Sequence, residues 1–195
     1  IPKTGVFGLY DLIGIDLMAD VLKSFIKELP ENDEFQVVAK EIPLIKKLID
    51  TGYTGRKGKG GFYRMNKDGN KKILEAINLE TGEYSSTQKI DIKSEKVDLL
   101  KLINRGDKYG DYAWAVISKI IKYASSLVPG ITDKFNDIDE AMRLGFNWSR
   151  GPFEMLKEIG VSNFFKKIDN FENNKFLENL FKSKNENFYG ERQKY

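Results

Sequence analysis

Five glycines fall between positions 52 and 61, at Gly52, Gly55, Gly58, Gly60 and Gly61, and Arg56, Lys57 and Lys59 stand among them. A segment this rich in glycine must be a loop. Such a loop can offer ammonium groups and backbone N–H groups to phosphate or carboxamide oxygens. Its plainer reading is a solvated basic turn ahead of a hairpin, since charged runs usually lie at the surface. Asp137, Asp139 and Glu140 form a second cluster with metal-ligating side chains. At the start of a helix, however, the macrodipole and capping account for acidic residues, and there is no His or Cys to complete a ligand set.

The absence of His from all 195 residues removes the usual general base near neutral pH and leaves Asp, Glu, Lys or Tyr for any proton transfer. The absence of Cys excludes disulfides and thiolate metal sites and is only a mild fit to a reducing interior; the expected location is cytoplasmic, which the cysteine count does not establish. The loop glycines do not have the G-x-G-x-x-G spacing between strand and helix that cradles a dinucleotide. Without a Gly-Lys-Ser or Gly-Lys-Thr sequence, a P-loop is excluded as well.

The elements that would position the loop are mostly helical. Apolar residues from Phe7 to Ile26 recur at intervals of three and four, the stripe of an amphipathic helix. Gly14 divides that stripe, Asp16 can cap its second part, and Pro30 with Glu31, Asn32 and Asp33 ends it. A short helix is predicted over Ile42 to Asp50, with Pro43 in the first turn, where its missing N–H costs little. After the loop, Gly61 to Met65, a turn over Asn66 to Asn70, and Lys71 to Asn78 read as strand, turn and strand. A third extended piece is placed after Thr81 and Gly82.

Residues 85–96 have the composition of a connector and give a domain boundary, with a first domain over 1–84 and a second over 97–195. Helical periodicity returns over Val97 to Ile103 and Tyr109 to Leu127, the latter stopped by Pro129-Gly130. Further helices are predicted over Asp137 to Leu144, ended by Gly145, and over Pro152 to Ile159, Val161 to Ile168 and Asn174 to Phe181. Trp114, Trp148 and Phe153 are assigned to the core rather than to stacking on a ligand.

At a constant offset of 146, Gly5 to Ile15 and Gly151 to Val161 share Gly, Phe, Ile and Gly, and most other apolar positions match in kind. Downstream, each segment has a helix followed by a Phe-Tyr pair, Phe62-Tyr63 in one and Phe188-Tyr189 in the other. The pattern reads as duplication of one supersecondary unit. Only the second copy has helices ahead of its motif, so the first is read as truncated. Its apolar face from Phe7 to Ile26 then needs the second copy or another chain to cover it. The start at Ile1, without Met, reads as that of a fragment.

The residues Asp137-Ile138-Asp139-Glu140-Ala141-Met142-Arg143-Leu144-Gly145-Phe146-Asn147-Trp148, followed by Gly151-Pro152-Phe153-Glu154-Met155-Leu156, resemble the carboxy-terminal domain of 3-hydroxyacyl-CoA dehydrogenases. Gly5 to Asp16 is similar to the same segment, and Gly55 to Tyr63 resembles the family's G-R-K-T-G-x-G-F-Y loop. Two tandem copies resemble the long bacterial fatty-acid oxidation proteins. The resemblance implies a mainly α fold made of two tandem 6-phosphogluconate-dehydrogenase-C-terminal-like helical domains, the first truncated and carrying a small β-hairpin. It also implies an upstream Rossmann domain that binds NAD and carries a catalytic His-Glu pair. The helical domains would close over the acyl-CoA substrate and supply a domain or homodimer interface.

By the same resemblance, the second basic residue of the loop, Lys57, approaches the cofactor. The chain departs from the pattern at Gly58, where the family has Thr, and at Lys59, where it has Gly. No catalytic residue and no metal ligand is assigned here, and the isolated chain is expected to be inactive. Two other classes of function are considered. One is a non-catalytic helical dimerisation or docking module. The other is a nucleic-acid binder using Arg56, Lys57, Lys59, Arg64, Lys67, Lys71 and Lys72 around Phe62 and Tyr63. Against the last, 32 Lys and Arg face 29 Asp and Glu, a formal net charge of +3. No run of about 18 apolar residues suggests a membrane span.

Overall fold

Glycine at position 14 divides the first apolar stripe where the spacing predicts. The computed structural model describes residues 5–69, 71–87 and 98–190. In it, α1 (Gly5–Ile13) stops at Gly14 and α2 (Ile15–Glu28) starts immediately after it. Gly14 has φ 116° and ψ 125°, a conformation open to glycine and strained for other residues. A short helix that the sequence reading passed over, α3 (Glu34–Val38), follows Pro30. Asp33 caps it by accepting from the Phe35 amide at 2.8 Å, so the turn-forming run after Pro30 also starts a helix. Then comes α4 (Pro43–Asp50), with Pro at its first position as predicted.

The β part is a three-stranded antiparallel sheet in the order β1 (Tyr63–Asp68), β2 (Lys71–Ile77), β3 (Tyr84–Ser86). Pairing of Asp68 with Lys71 leaves two residues for the turn. The predicted turn over Asn66 to Asn70 is therefore too long, because Asn66 and Lys67 stay in the ladder opposite Ile73 and Lys72. Ser85 and Ser86, assigned to the connector on composition, pair with Ala76 and Glu75. Residues 88–96 of the predicted connector lie outside the described residues.

The second half is helical: α5 (Leu99–Ile103), α6 (Lys108–Ser126), α7 (Phe135–Phe146), α8 (Pro152–Ile159), α9 (Val161–Phe165) and α10 (Lys175–Ser183). Asp107 caps α6 by accepting from the Tyr109 and Gly110 amides. The expected stop at Gly145 is overturned. The helix continues one residue further and ends where Asn147 turns left-handed at φ 53°. Val161 to Ile168 is helical only to Phe165, after which the chain turns.

The described residues up to Thr87 and those from Asp98 form two compact units, each with its own core. In the first, Ile15, Leu48 and Phe62 are buried together. In the second, Ile121 of α6 packs with Met155, Leu156 and Ile159 of α8, Val161 and Phe164 of α9, and Leu177 and Leu180 of α10. Phe153 is fully buried, and Trp114 stacks edge-on against Phe164, which places these aromatics in the core as predicted.

Asp139 holds α7 to α8. It is fully buried and accepts from the Phe153 amide at 2.8 Å and the Glu154 amide at 2.9 Å. It thus caps the first turn of a different helix, whereas the sequence reading placed it in the dipole of its own. Burial pushes its carboxyl up, while the two amides and the Tyr189 hydroxyl hold it down. Arg143 pairs with Glu154 beside it. Removing the carboxylate would strand two amides, so Asp139→Ala is expected to destabilise the second unit by about 2 to 4 kcal/mol. Both tryptophans lie in that unit, so urea unfolding followed by Trp fluorescence isolates the effect. A midpoint equal to the parent's would refute it.

Candidate functional site

The glycine-rich loop closes on itself over Asp11. Asp11 lies on α1 in the middle of an apolar run, Leu9-Tyr10-Asp11-Leu12-Ile13, and is 4% exposed. Its carboxylate accepts from the Phe62 and Tyr63 amides, each at 2.8 Å, and its carbonyl accepts from the Arg56 amide at 2.8 Å. One residue of α1 thereby fixes both ends of the loop. The fit explains two of the glycines. A Cβ on Gly61 would sit 2.0 Å from Asp11 Oδ1, and one on Gly55 would sit 2.4 Å from the Asp11 carbonyl oxygen.

Four further loop amides also bond within the chain. Gly55 donates to Gly60 O, Gly58 to Gly55 O, Lys59 to Gly52 O and Gly61 to Tyr63 O, at 2.7 to 3.1 Å. These amides already have partners, so they are not among the backbone N–H groups the loop can present to a ligand. From the sheet side, the Tyr84 hydroxyl donates to Gly61 O at 2.5 Å. Burial pushes that phenol up to about 12. The Arg64 guanidinium lies 3.9 Å over the Tyr84 ring and pairs across the strands with Glu75 at 2.6 Å.

Lys57, the predicted cofactor-binding residue, stands at the start of α2. Its ammonium lies 2.8 Å from Asp16 Oδ1, and both side chains keep substantial exposure. The Lys57 ammonium beside it is the largest influence holding the Asp16 carboxyl below its ordinary value, followed by the Leu17 amide. Asp16 therefore positions Lys57 as well as serving the first turn of α2, a role that sequence spacing did not reveal. A second loop cation, Lys59, donates to Thr51 O at 3.1 Å.

The same local geometry recurs in the second unit. Gly160, at φ 86° and ψ 136°, joins α8 to α9 as Gly14 joins α1 to α2. The Gly160 amide bonds to Leu156 O and Phe164 N–H to Gly160 O, matching Gly14 to Tyr10 O and Met18 N–H to Gly14 O. Where Ile15 N–H donates to Thr54 O, Val161 N–H donates to Glu186. Glu186 also accepts from the Ser162 amide at 2.9 Å. Among the described residues no group of three or more acidic, His or Cys side chains is arranged to hold a metal ion. Nor, among them, is any helix long and apolar enough to cross a membrane.

The domain family described as "3-hydroxyacyl-CoA dehydrogenase, C-terminal domain" matches residues 2–65 and 112–187. A putative fatty acid oxidation complex trifunctional enzyme of Rickettsia felis is 44% identical over 156 residues, covering 80% of this chain and 21% of that protein. The similarly named protein of Rickettsia prowazekii is 40% identical over 163 residues, covering 84% and 22%. A probable 3-hydroxyacyl-CoA dehydrogenase of Bacillus subtilis is 29% identical over 199 residues, covering 96% and 24%. The chain thus spans about a fifth to a quarter of the length of these relatives. No solved structure matches.

Two measurements check the site. In Asp11→Ala, two buried amides lose their acceptor and the loop opens, so trypsin is expected to cut at Arg56, Lys57 and Lys59 at least tenfold faster. An unchanged cleavage rate would remove Asp11 from this role. For Asp16, the folded carboxyl value lies below the unfolded one, so the pair's contribution is present above the unfolded aspartate range and is lost as pH falls through the folded value. Lys57→Met should move the Asp16 carboxyl upward toward the ordinary range in an NMR titration; no movement would mean the pair does not form in solution.

Proposed function

The chain belongs to the 3-hydroxyacyl-CoA dehydrogenase C-terminal domain family, and on that premise we propose that it is the carboxy-terminal portion of an NAD-dependent 3-hydroxyacyl-CoA dehydrogenase of fatty-acid β-oxidation. The observation that carries this reading is that one domain family covers segments of both units. We further read the first unit, which runs past Ser86, and the second, from Asp98 on, as tandem copies of that domain. Their support is the shared glycine junction and hydrogen-bond pattern at Gly14 and Gly160.

In the intact enzyme this chain forms a wall of the acyl-CoA cleft and a domain or dimer interface, while an upstream Rossmann domain carries most of the NAD site. NAD, when bound, accepts the hydride released as the 3-hydroxyl is oxidised to a 3-oxo group. The chain's own residues hold geometry and exclude water rather than transfer protons. The loop suits a single polar contact with the cofactor. The Lys57 ammonium is exposed enough to donate to an acceptor oxygen while Asp16 keeps it in place, and the loop amides bonded within the chain leave the side chain as the donor.

A non-catalytic docking module is the second reading, favoured by the exposed apolar face of α1. Two experiments test the assignment, and the second separates the readings. The isolated chain is expected to oxidise no 3-hydroxyacyl-CoA, and turnover by a pure preparation would overturn the assignment of catalysis to an upstream domain. In the complete dehydrogenase, Lys57→Ala is expected to raise KM for NAD about tenfold with little change in kcat, the loss of roughly one charged hydrogen bond. An unchanged KM would make Lys57 a structural residue.

A further inference from the structure

Polar side chains on one face of the sheet grip both stems of the glycine-rich loop. Arg64 stands opposite Glu75 in the ladder, and Tyr84 stands opposite Ile77, two positions along β2, so side-chain alternation brings Arg64, Glu75 and Tyr84 to the same face. The strand β3 is three residues long and its two serines are exposed. Tyr84 is therefore the side chain that β3 delivers.

The Arg64 guanidinium is fixed as a plane. Its Nε donates to Glu75 Oε2 at 2.6 Å, while Asn66 donates to the other Glu75 oxygen at 3.0 Å, so both sides of the carboxylate are used. Its Nη1 donates to the Tyr53 hydroxyl at 3.3 Å, and its centre lies over the Tyr84 ring. The Tyr53 and Tyr84 rings are themselves 5.6 Å apart. Tyr53 leads into the loop, and Gly61, whose carbonyl accepts from the Tyr84 hydroxyl, leads out of it. Between these stems Gly55 donates to Gly60 O and Gly58 to Gly55 O, which places Lys57 at the tip of a closed turn.

The tip has little tolerance for displacement. A Cβ on Gly14 would sit 2.9 Å from Lys57 Nζ, so the ammonium lies directly over the junction, and Thr54 O accepts from the Ile15 amide at 3.1 Å beside Asp16. The exposed Lys57–Asp16 pair is weak in itself and takes its geometry from whatever holds the loop. The second unit builds the same glycine junction without these parts. Among its described residues there is no strand, and Glu186 rather than a lysine meets the start of α9. The junction does not need the sheet; the sheet accompanies the lysine.

We propose that Tyr84 and Arg64 are positioning residues for Lys57: by holding Gly61 and Tyr53, the two stems of the loop, they set where its ammonium stands for the cofactor. They act through the loop backbone. The inference rests on reading Lys57 as the cofactor contact, but the placement of its ammonium at Asp16 is measurable without that reading.

Two variants test it. Tyr84→Phe removes the hydroxyl that Gly61 O accepts and keeps the ring against Arg64 and Tyr53, while Arg64→Lys keeps a charge beside Glu75 and gives up the planar fork. In the complete dehydrogenase each is expected to raise KM for NAD about threefold with kcat little changed, the loss of one hydrogen bond passed on to the cofactor contact. In a Lys57→Ala background neither should add anything, because no ammonium is left to position. In the full chain, each should move the Asp16 carboxyl upward toward its ordinary range in an NMR titration, a signal that a general loss of stability would not give. Equal effects on KM with and without Lys57, no effect on KM where Lys57→Ala raises it, or an Asp16 titration that neither variant moves would overturn the proposal. A titration that moves while Lys57→Ala leaves KM for NAD unchanged would discard the cofactor reading and keep the placement of Lys57 by the sheet.

Discussion

A carboxylate that leaves water to accept from two consecutive backbone amides has to be held there by the fold, and in return it fixes the relation of two segments distant in sequence. Asp11 does this for Phe62 and Tyr63 across about fifty residues, and Asp139 does it for Phe153 and Glu154. Glu186 does it at the surface for Val161 and Ser162. Helices this short are marginal alone and take their stability from packing. Apolar packing is non-directional, whereas two amides converging on one carboxylate set angle and register together. The loop, the strand that follows it and the junction of α7 with α8 all depend on bonds of this kind.

Much of the architecture was legible in the sequence because its signals are local. The stripe from Phe7 to Ile26, the break at Gly14, Pro43 at the start of α4 and the hairpin at Gly69 depend on neighbours within a few residues. What was missed acts at a distance or at an element's end. Asp11 carried a signal that went unused, since an acid inside an apolar run must have a buried partner or face solvent. Asp139, next to Ile138, carried the same one, and its apparent role in its own helix concealed its role in the next. Gly145 failed as a stop because the left-handed turn falls to Asn147, two residues on. The loop's chemistry was read in part: its cations were correctly placed at a turn, but the acceptor of the Arg56 amide is Asp11, 45 residues earlier and at no spacing that a local pattern fixes.

Lys57 and Asp16 illustrate why charge in a loop should be judged by its partners. Of the seven basic residues around Phe62 and Tyr63, three are engaged: Arg64 with Glu75, Lys59 with a backbone carbonyl and Lys57 with Asp16. A polyanion needs a row of free cations, and pairing lowers the return from releasing counterions at this surface. A single held ammonium suits a discrete acceptor better. Exposure of the Lys57–Asp16 pair makes it a weak contributor to stability and a good positioning device, because its strength falls in salt while its geometry is set by the helix start and the loop.

Helix α1 is where the loop meets an apolar surface. Asp11 faces the loop, while Phe7 and Tyr10 both stack against Phe62, with ring centroids 4.6 and 6.1 Å away. Phe62 is thus held by its amide from one side of α1 and by its ring from the other. The same short helix therefore sets the loop's two ends and carries an exposed apolar face. A loop that must present one ammonium to a bound molecule is best held when its supporting helix has no freedom to shift, which ties the packing of α1 to the precision with which Lys57 is placed.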